Sequence, residues 1–430
     1  SSRILGIWDQ TLETGAPDPV TGFQALYGTQ YSREEIDQAL AAPDPLALVP
    51  SADENGHGTF LASVAAGGED PDQDFTGAAP RASIAMVKLK PAKAYLRDFY
   101  LIREGADAYQ ENDIMMGVAY LLHLARRFSM PLVICLGLGT NQGSHVGKSP
   151  LGLYLDDINI YAGTAVITAA GNETGYGHHY RAVTRPEETL QTVELNVGEK
   201  DSGFSMEFWA QDVDIYRVGF ISPTGEVVDP LPSSTEEENV IRFLVEQTEI
   251  TVFSSIVNTA TGSQMVFIRF KDPMPGIWNL TVSSALNITG AFHIWLPSRG
   301  FISDTTYFLR PDPDTLVTGP GNSPVRPHGL CLRPYHRGNL HPFQQRVQPV
   351  RPDKAGAGGP GRQYHRSRPP FQLRTKIRHL RRCRPRRRSR RHPAPLGDPG
   401  AERSLYEHLR HQDLSDPGSQ KKSSAHLPKP

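Results

Sequence analysis

The sequence predicts an α/β fold in which a doubly wound parallel sheet carries an inserted antiparallel β-sandwich and ends in a disordered basic C-terminal tail. Three observations predict it. Over the first 180 residues short apolar runs alternate with helical stretches, and each run stops at Gly, Asp or Asn, the texture of parallel strands covered on both faces. From about Thr189 to Leu296 the texture changes to short alternating strands separated by turn signals. Beyond Val325 neither period is present, and Arg, Pro, His and Gly dominate.

In order along the chain, Ile4 to Trp8 reads as a buried strand ending at Asp9, Ile84 to Leu89 as a second, Leu132 to Leu138 as a third and Ala165 to Ala170 as a fourth. A helix lies between the second and fourth. Asn112 or Asp113 can cap it, and Met115, Val118, Leu122 and Ala125 share one face. Thr192 to Val197, Ser205 to Trp209 and Met265 to Phe270 are strands of the sandwich, with Ser222-Pro223-Thr224-Gly225 as one of its turns. The expected divisions are 1–188 for the first part of the α/β domain, 189–297 for the sandwich, 298–325 for a return to the α/β domain, and 326–430 for the tail.

The formal net charge of -1 hides an asymmetry. Residues 1–325 carry 20 Lys+Arg against 40 Asp+Glu, and residues 326–430 carry 25 against 6. Such a split ordinarily points to a basic, polyanion-binding tail. Cys135, Cys331 and Cys383 are odd in number and far apart, which argues against a disulfide framework. No run of about 18 apolar residues occurs, so no membrane-spanning helix is expected, and no apolar signal region stands near the start. The chain begins at Ser1 without Met, which is read as a trimmed or incomplete N-terminus and leaves the compartment open.

Three local patterns carry chemistry: Ile7-Trp8-Asp9, then Asn55-Gly56-His57-Gly58-Thr59, then Ala169-Ala170-Gly171-Asn172-Glu173. Each follows an expected strand or opens a helix, where sheet proteins place reactive side chains. A buried carboxylate can fix a histidine tautomer, the histidine can take a proton from a hydroxyl, and an amide can donate to an oxyanion. Taken singly, such an Asp is ordinarily a turn residue, Gly-His-Gly a loop, and Asn before Glu a cap. Their joint order favours a catalytic site. His178-His179, by contrast, has no nearby carboxylate or Cys partner in sequence and reads as a pair of exposed loop residues, so no metal site is assigned.

Gly56-His57-Gly58-Thr59 and Ala169-Ala170-Gly171-Asn172 resemble the histidine and oxyanion segments of the subtilisin-like serine proteases, the subtilases. Phe75-Thr76-Gly77-Ala78-Ala79-Pro80 is similar to a core turn of that family. The resemblance covers roughly 3–180 and 300–325. More narrowly, Gly6-Ile7-Trp8-Asp9-Gln10-Thr11, the stretch Glu111-Asn112-Asp113-Ile114-Met115-Met116-Gly117 and the inserted sandwich resemble the branch containing clostridial spore-germination proteases. The resemblance implies a subtilisin-like fold and serine-type endopeptidase action on a peptide or protein substrate. Asp9 would orient the imidazolium of His57, His57 would be general base and then acid, and Asn172 would donate to the oxyanion, a role worth about 10² to 10³ in rate in subtilisin itself. Gly137, Leu138 and Gly139 would line the substrate cleft. No organic cofactor is implied; calcium is common in the family, but no ligands are assigned. Gln10-Thr11 departs from the hydroxyl residue and glycine that most of the family has after this aspartate.

The family's serine, expected in Gly-Thr-Ser-x-Ala at the start of a buried helix, is absent. Ser367, Ser389, Ser404 and Ser415 lie in Arg- or Pro-rich surroundings without a helical pattern. A one-base shift of reading frame near Val325 recovers the missing motifs. Read so, Asp353 through Tyr364 can encode Ile-Lys-Pro-Glu-Leu-Ala-Ala-Pro-Gly-Val-Asn, and Arg378 through Arg384 can encode Gly-Thr-Ser-Val-Ala-Ala. The sequence thus predicts a frameshifted subtilase, inactive as written, with apolar surface left exposed where the domain's last elements are lost. Two other readings stand beside it: a peptide-binding pseudoprotease, and a genuine cationic tail that binds nucleic acid or an anionic membrane. Nucleic acid is an expected partner only in the last.

Overall fold

A β-strand ends wherever its apolar run meets a residue that must turn, and the first strand does so at Asp9. The computed structural model describes residues 2–13, 23, 25–72, 74–185, 188, 190–199, 201–233 and 237–323. The tail, with Cys331, Cys383, the four serines and both recoded stretches, lies outside the described residues. In chain order the first part contains β1 (Ile4–Asp9), β2 (Thr29–Ser32), α1 (Arg33–Ala41), α2 (Pro45–Leu48), α3 (His57–Ala66), β3 (Ile84–Lys88), α4 (Ala94–Phe99), α5 (Glu111–Arg127), β4 (Leu132–Leu136), α6 (Pro150–Asn159) and β5 (Thr164–Thr168).

β1 pairs parallel with β3, and β4 pairs parallel with β5, as apolar runs joined through helices require. These strands form two sheets, β2-β1-β3 and β4-β5, instead of the single sheet expected, and the first is mixed because β2 adds to β1 antiparallel. Helices cover both faces of β1. On one side Ile36 and Ala39 of α1 pack with Tyr31 and Val49 near Ile4 and Ile7; on the other Tyr120 and Leu124 of α5 pack on Trp8.

α5 buries two stripes rather than the one expected. Val118, with Met115 and Leu122 beside it, packs on Ile134 and Val166 of β4 and β5 and on Leu151, Leu155 and Ile158 of α6. Asp113, Gly117, Tyr120 and Leu124 form the other buried stripe, and a Cβ on Gly117 would come within 3.1 Å of Val87 Cγ1 of β3. The helix lies against β1, β3 and β4 alike, so one apolar face would not suffice. Its cap differs too: Gln110 is the N-cap residue, without a side-chain capping bond, while Asp113 is drawn inward to accept from Tyr27 Oη at 2.5 Å.

The remaining strands are β6 (His179–Val183), β7 (Leu190–Val197), β8 (Gly203–Ala210), β9 (Ile215–Ile221), β10 (Val227–Val228), β11 (Glu237–Arg242), β12 (Glu249–Ser255), β13 (Met265–Lys271), β14 (Gly276–Leu286), β15 (Ala291–Trp295) and β16 (Tyr307–Phe308). They make a five-stranded sheet, β10-β9-β14-β7-β16, and a six-stranded sheet, β11-β12-β13-β8-β15-β6, with antiparallel pairing throughout. Between them lies an aromatic core that includes Phe204, Phe208, Phe220, Phe270, Trp278 and Phe292. Its stacked and edge-on ring pairs, such as Phe204 with Phe270 and Phe243 with Trp278, add roughly 0.5–1.5 kcal/mol each beyond burial. β6 and β16 come from sequence on either side of the 189–297 span, so the flanking segments contribute edge strands. β8 is buried on nearly every residue. Outside its sheet, Phe99 of α4 stacks on Phe267 of β13.

The expectation that His178 and His179 are exposed loop residues is overturned. Both are buried, and His179 opens β6. Its ring stacks on Trp295 and on His293, with Nε2 2.9 Å from His293 Nδ1, while His145 stacks on Trp295 at 4.1 Å. Pairing of β6 with β15 draws these imidazoles inward, which no local pattern in the sequence signals.

Candidate active site

Asp9 ends β1 and is fully buried. Oδ1 accepts from Thr11 N at 2.8 Å and from Thr11 Oγ1 at 2.5 Å; Oδ2 accepts from Ser51 Oγ at 2.6 Å, with Lys88 Nζ at 3.8 Å. Thr11, half of the departure from the common family pattern, is therefore what binds the carboxylate. Gln10, the other half, locks the strand end in place. Its Nε2 donates to the Asp113 carbonyl, its Oε1 accepts from Lys90 N, and its own N–H donates to the Lys88 carbonyl.

His57 is the first residue of α3. Gly56 precedes it at φ +77, left-handed backbone that glycine adopts without a Cβ penalty. A glycine cannot cap with a side chain, and Asp53 supplies the cap instead. Its Oδ1 accepts from Gly56 N, and its Oδ2 from Thr59 N and Thr59 Oγ1. Those donors, Thr59 N–H foremost, hold the Asp53 carboxyl below its ordinary range. Asn55 Oδ1 accepts from His57 N, and His57 Nε2 lies 3.2 Å from the Gly137 carbonyl oxygen. His57 itself is exposed.

Gly137 and Gly139 are glycines for lack of room. A Cβ at Gly137 would sit 2.2 Å from Leu61 Cδ1, and one at Gly139 would sit 2.2 Å from Thr318 Oγ1. Thr318 also presses on Gly171, where φ is +89 and a Cβ would lie 2.7 Å from its Cγ2. Thr140 and Gly319 form an antiparallel bridge, and Thr318 N donates to the Ala170 carbonyl, so residues 317–321 lie between the cleft segment and the loop after β5. Asn172 stands exposed in that loop. The structure brings His57 directly against Gly137, whereas the carboxylate of Asp9 is bound by Thr11, Ser51 and Lys88 rather than by His57.

Three polar residues at the site were not singled out from sequence. Glu173, beside Asn172, is buried and bonds Asn141 and His178; Ser51 and Asp53 hold Asp9 and the start of α3. Glu173 and Asp53 stand within or near the quoted motifs, but nothing in a linear pattern distinguishes a buried carboxylate from an exposed cap. Among the described residues no group of three or more His, Cys, Asp or Glu is placed to hold a metal ion, and no helix is long and apolar enough to cross a membrane.

A family model described as the subtilase family matches residues 24–268, more than half of the sequence. The chain belongs to the subtilase family. In this subtilase the matched stretch contains His57, the cleft glycines, Asn172 and much of the sandwich. Among solved structures it is similar to the CspB protease of Clostridium perfringens, with a TM-score of 0.62 and 27% identity, over 75% of this chain and 62% of that one. The subtilase thus spans less than two thirds of the solved chain it resembles. No curated protein matches it.

Proposed function

We propose that the gene specifies a subtilisin-like serine endopeptidase and that the chain as written is inactive because its nucleophile is missing. The observation that carries the reading is positional. In a chain of the subtilase family, Asp9 ends a parallel strand, His57 opens a helix, and Asn172 follows a second parallel strand beside a glycine-lined segment. In the complete enzyme a serine activated by His57 would attack the peptide carbonyl, Asn172 would donate to the oxyanion, and water would release the acyl-enzyme.

Exposed apolar surface supports the loss of in-frame elements. β4 and β5 alternate, with Ile134 and Val166 inward, and their outer face carries Val133 at 70% and Ile167 at 36% exposure. α3, apolar along most of its length, buries only Val64. Parallel strands and apolar helices are ordinarily covered on such faces.

A second reading, peptide binding without catalysis, is favoured by one observation. The Asp9 carboxylate accepts from Thr11 and Ser51, and His57 Nε2 lies against the Gly137 carbonyl instead of Asp9. Sequencing the coding DNA from Pro320 to Arg390, then assaying the frame-corrected and the original chains on a denatured protein substrate, separates the two. Hydrolysis by the corrected chain alone, abolished by His57→Ala, is expected. An unchanged reading frame together with inactivity of both proteins would overturn the proposal, and salt-sensitive DNA binding by the original chain would favour the cationic-tail reading instead.

A further inference from the structure

Every buried carboxylate needs donors, and those of Glu173 come from three separate segments. Glu173 is 3% exposed. Its Oε2 accepts from Asn141 Nδ2 at 3.2 Å and His178 Nδ1 at 3.0 Å, and both oxygens accept from Arg299 N, at 3.1 and 3.2 Å. Asn141 follows the cleft glycines, His178 precedes β6, and Arg299 lies just beyond β15. We propose that Glu173 is the positioning residue of the oxyanion side of the site, clamping the loop that carries Asn172 to the cleft segment and to the end of the sandwich. The role assigned to Asn172 rests on the protease reading above.

All three donors converge on Oε2, and Oε1 shares the Arg299 N–H. Asn141 is itself immobilised: its backbone N–H donates to Ser298 Oγ at 2.9 Å, Nδ2 also donates to the Leu296 carbonyl, and its carbonyl faces His145 Nε2 at 3.0 Å. On the His178 ring, Nδ1 meets Glu173, while Nε2 is buried without a partner among the described residues, so the acceptor-only carboxylate places the proton on Nδ1. A glutamine at 173 would remove the charge on which three donors converge and set its NH₂ against the Arg299 N–H that Oε1 accepts. An oxyanion donor is effective when it is held in place before charge develops, and Asn172, exposed at the tip, is held through its neighbour. By this arrangement the sandwich is a structural part of the site, since Leu296, Ser298 and Arg299 all belong to its exit.

The test compares the full chain with Glu173→Gln by hydrogen–deuterium exchange and by the side-chain amide signal of Asn172 in asparagine-labelled protein, assigned by its loss in Asn172→Ser. Exchange at least ten-fold faster across 171–178 and 296–300, with β8 and β14 unchanged and the Asn172 signal shifted or broadened, is expected. Unchanged exchange, or uniform acceleration with the Asn172 signal unmoved, overturns the clamp. Should Glu173→Gln fail to fold, Asn141→Ala removes one donor and leaves the carboxylate bound to His178 and Arg299; it should accelerate the same segments to a lesser degree, and no acceleration there counts against the proposal. Neither readout needs peptidase activity. A corrected chain without hydrolysis would refute the protease reading and leave the clamp standing, and the reverse pair of results would do the opposite.

Discussion

Ser51 Oγ donates to Asp9 Oδ2 at 2.6 Å, so the carboxylate oxygen not taken by Thr11 is occupied by a hydroxyl from the segment that leads to His57. A hydrogen bond to a buried ionised group contributes about 1.5–3 kcal/mol. Ser51→Ala is therefore expected to lower the urea-unfolding free energy by about that much. A change below about 0.5 kcal/mol, the lower bound for an ordinary hydrogen bond, would show that Ser51 is not a needed partner of Asp9.

Crowding around Thr318 gives a rescue experiment. Gly139→Ala would place a methyl 2.2 Å from Thr318 Oγ1, and that hydroxyl has no partner among the described residues. Overpacking of this kind costs roughly 1–3 kcal/mol. Thr318→Ala should restore part of the lost stability in the double variant, since it removes Oγ1 but leaves the Cβ of residue 318 2.9 Å from the new methyl. It should not restore Gly171→Ala, because φ +89 strains an alanine whatever the space. Equal rescue at both positions would refute this account, and thermal unfolding of the single and double variants measures it.

The buried imidazoles set a pH dependence. Desolvation pushes His145 down to about 4 and His293 down to about 3, and lowers His179 as well. In the unfolded chain these rings titrate near 6.5. Below that pH the unfolded state binds protons that the folded state refuses, so stability is complete above about 6.5 and falls as the pH drops toward 4. For His145 alone the loss is on the order of 3 kcal/mol. Unfolding free energies should hold from about pH 7.5 to 6.5 and decline from there to about 4.5, and His293→Phe should flatten that slope. A curve flat over that range would contradict the assignment of these rings as neutral.

The outer face of β4 and β5 predicts association. Val133→Thr with Ile167→Thr keeps β-branched residues in both strands while removing apolar surface from their exposed face. Light scattering of the pair variant should show slower aggregation than the unaltered chain, with the unfolding free energy changed by under about 1 kcal/mol. Unaltered aggregation would mean that this face is not the one that associates.

Much of the fold is legible in local sequence. Apolar runs place β1, β3, β4 and β5 to within two residues because each must end where a turn residue stands, and alternation marks β7. The same reading misplaces the cap of α5, since Asp113 has the right chemistry for a cap but is taken inward by Tyr27 and Lys90. It also exposes two histidines that pairing of β6 with β15 buries.

The family follows from the chain read linearly, through the order of Asp9, His57 and Asn172, and so does the absence of Gly-Thr-Ser-x-Ala, because residue type and spacing carry that information. The partners those residues take follow from packing alone. Ser51 on Asp9, Gly137 on His57, and Asn141 and Arg299 around Glu173 join segments distant in sequence. No local pattern encodes a contact that exists only after the sheets, helices and sandwich have packed.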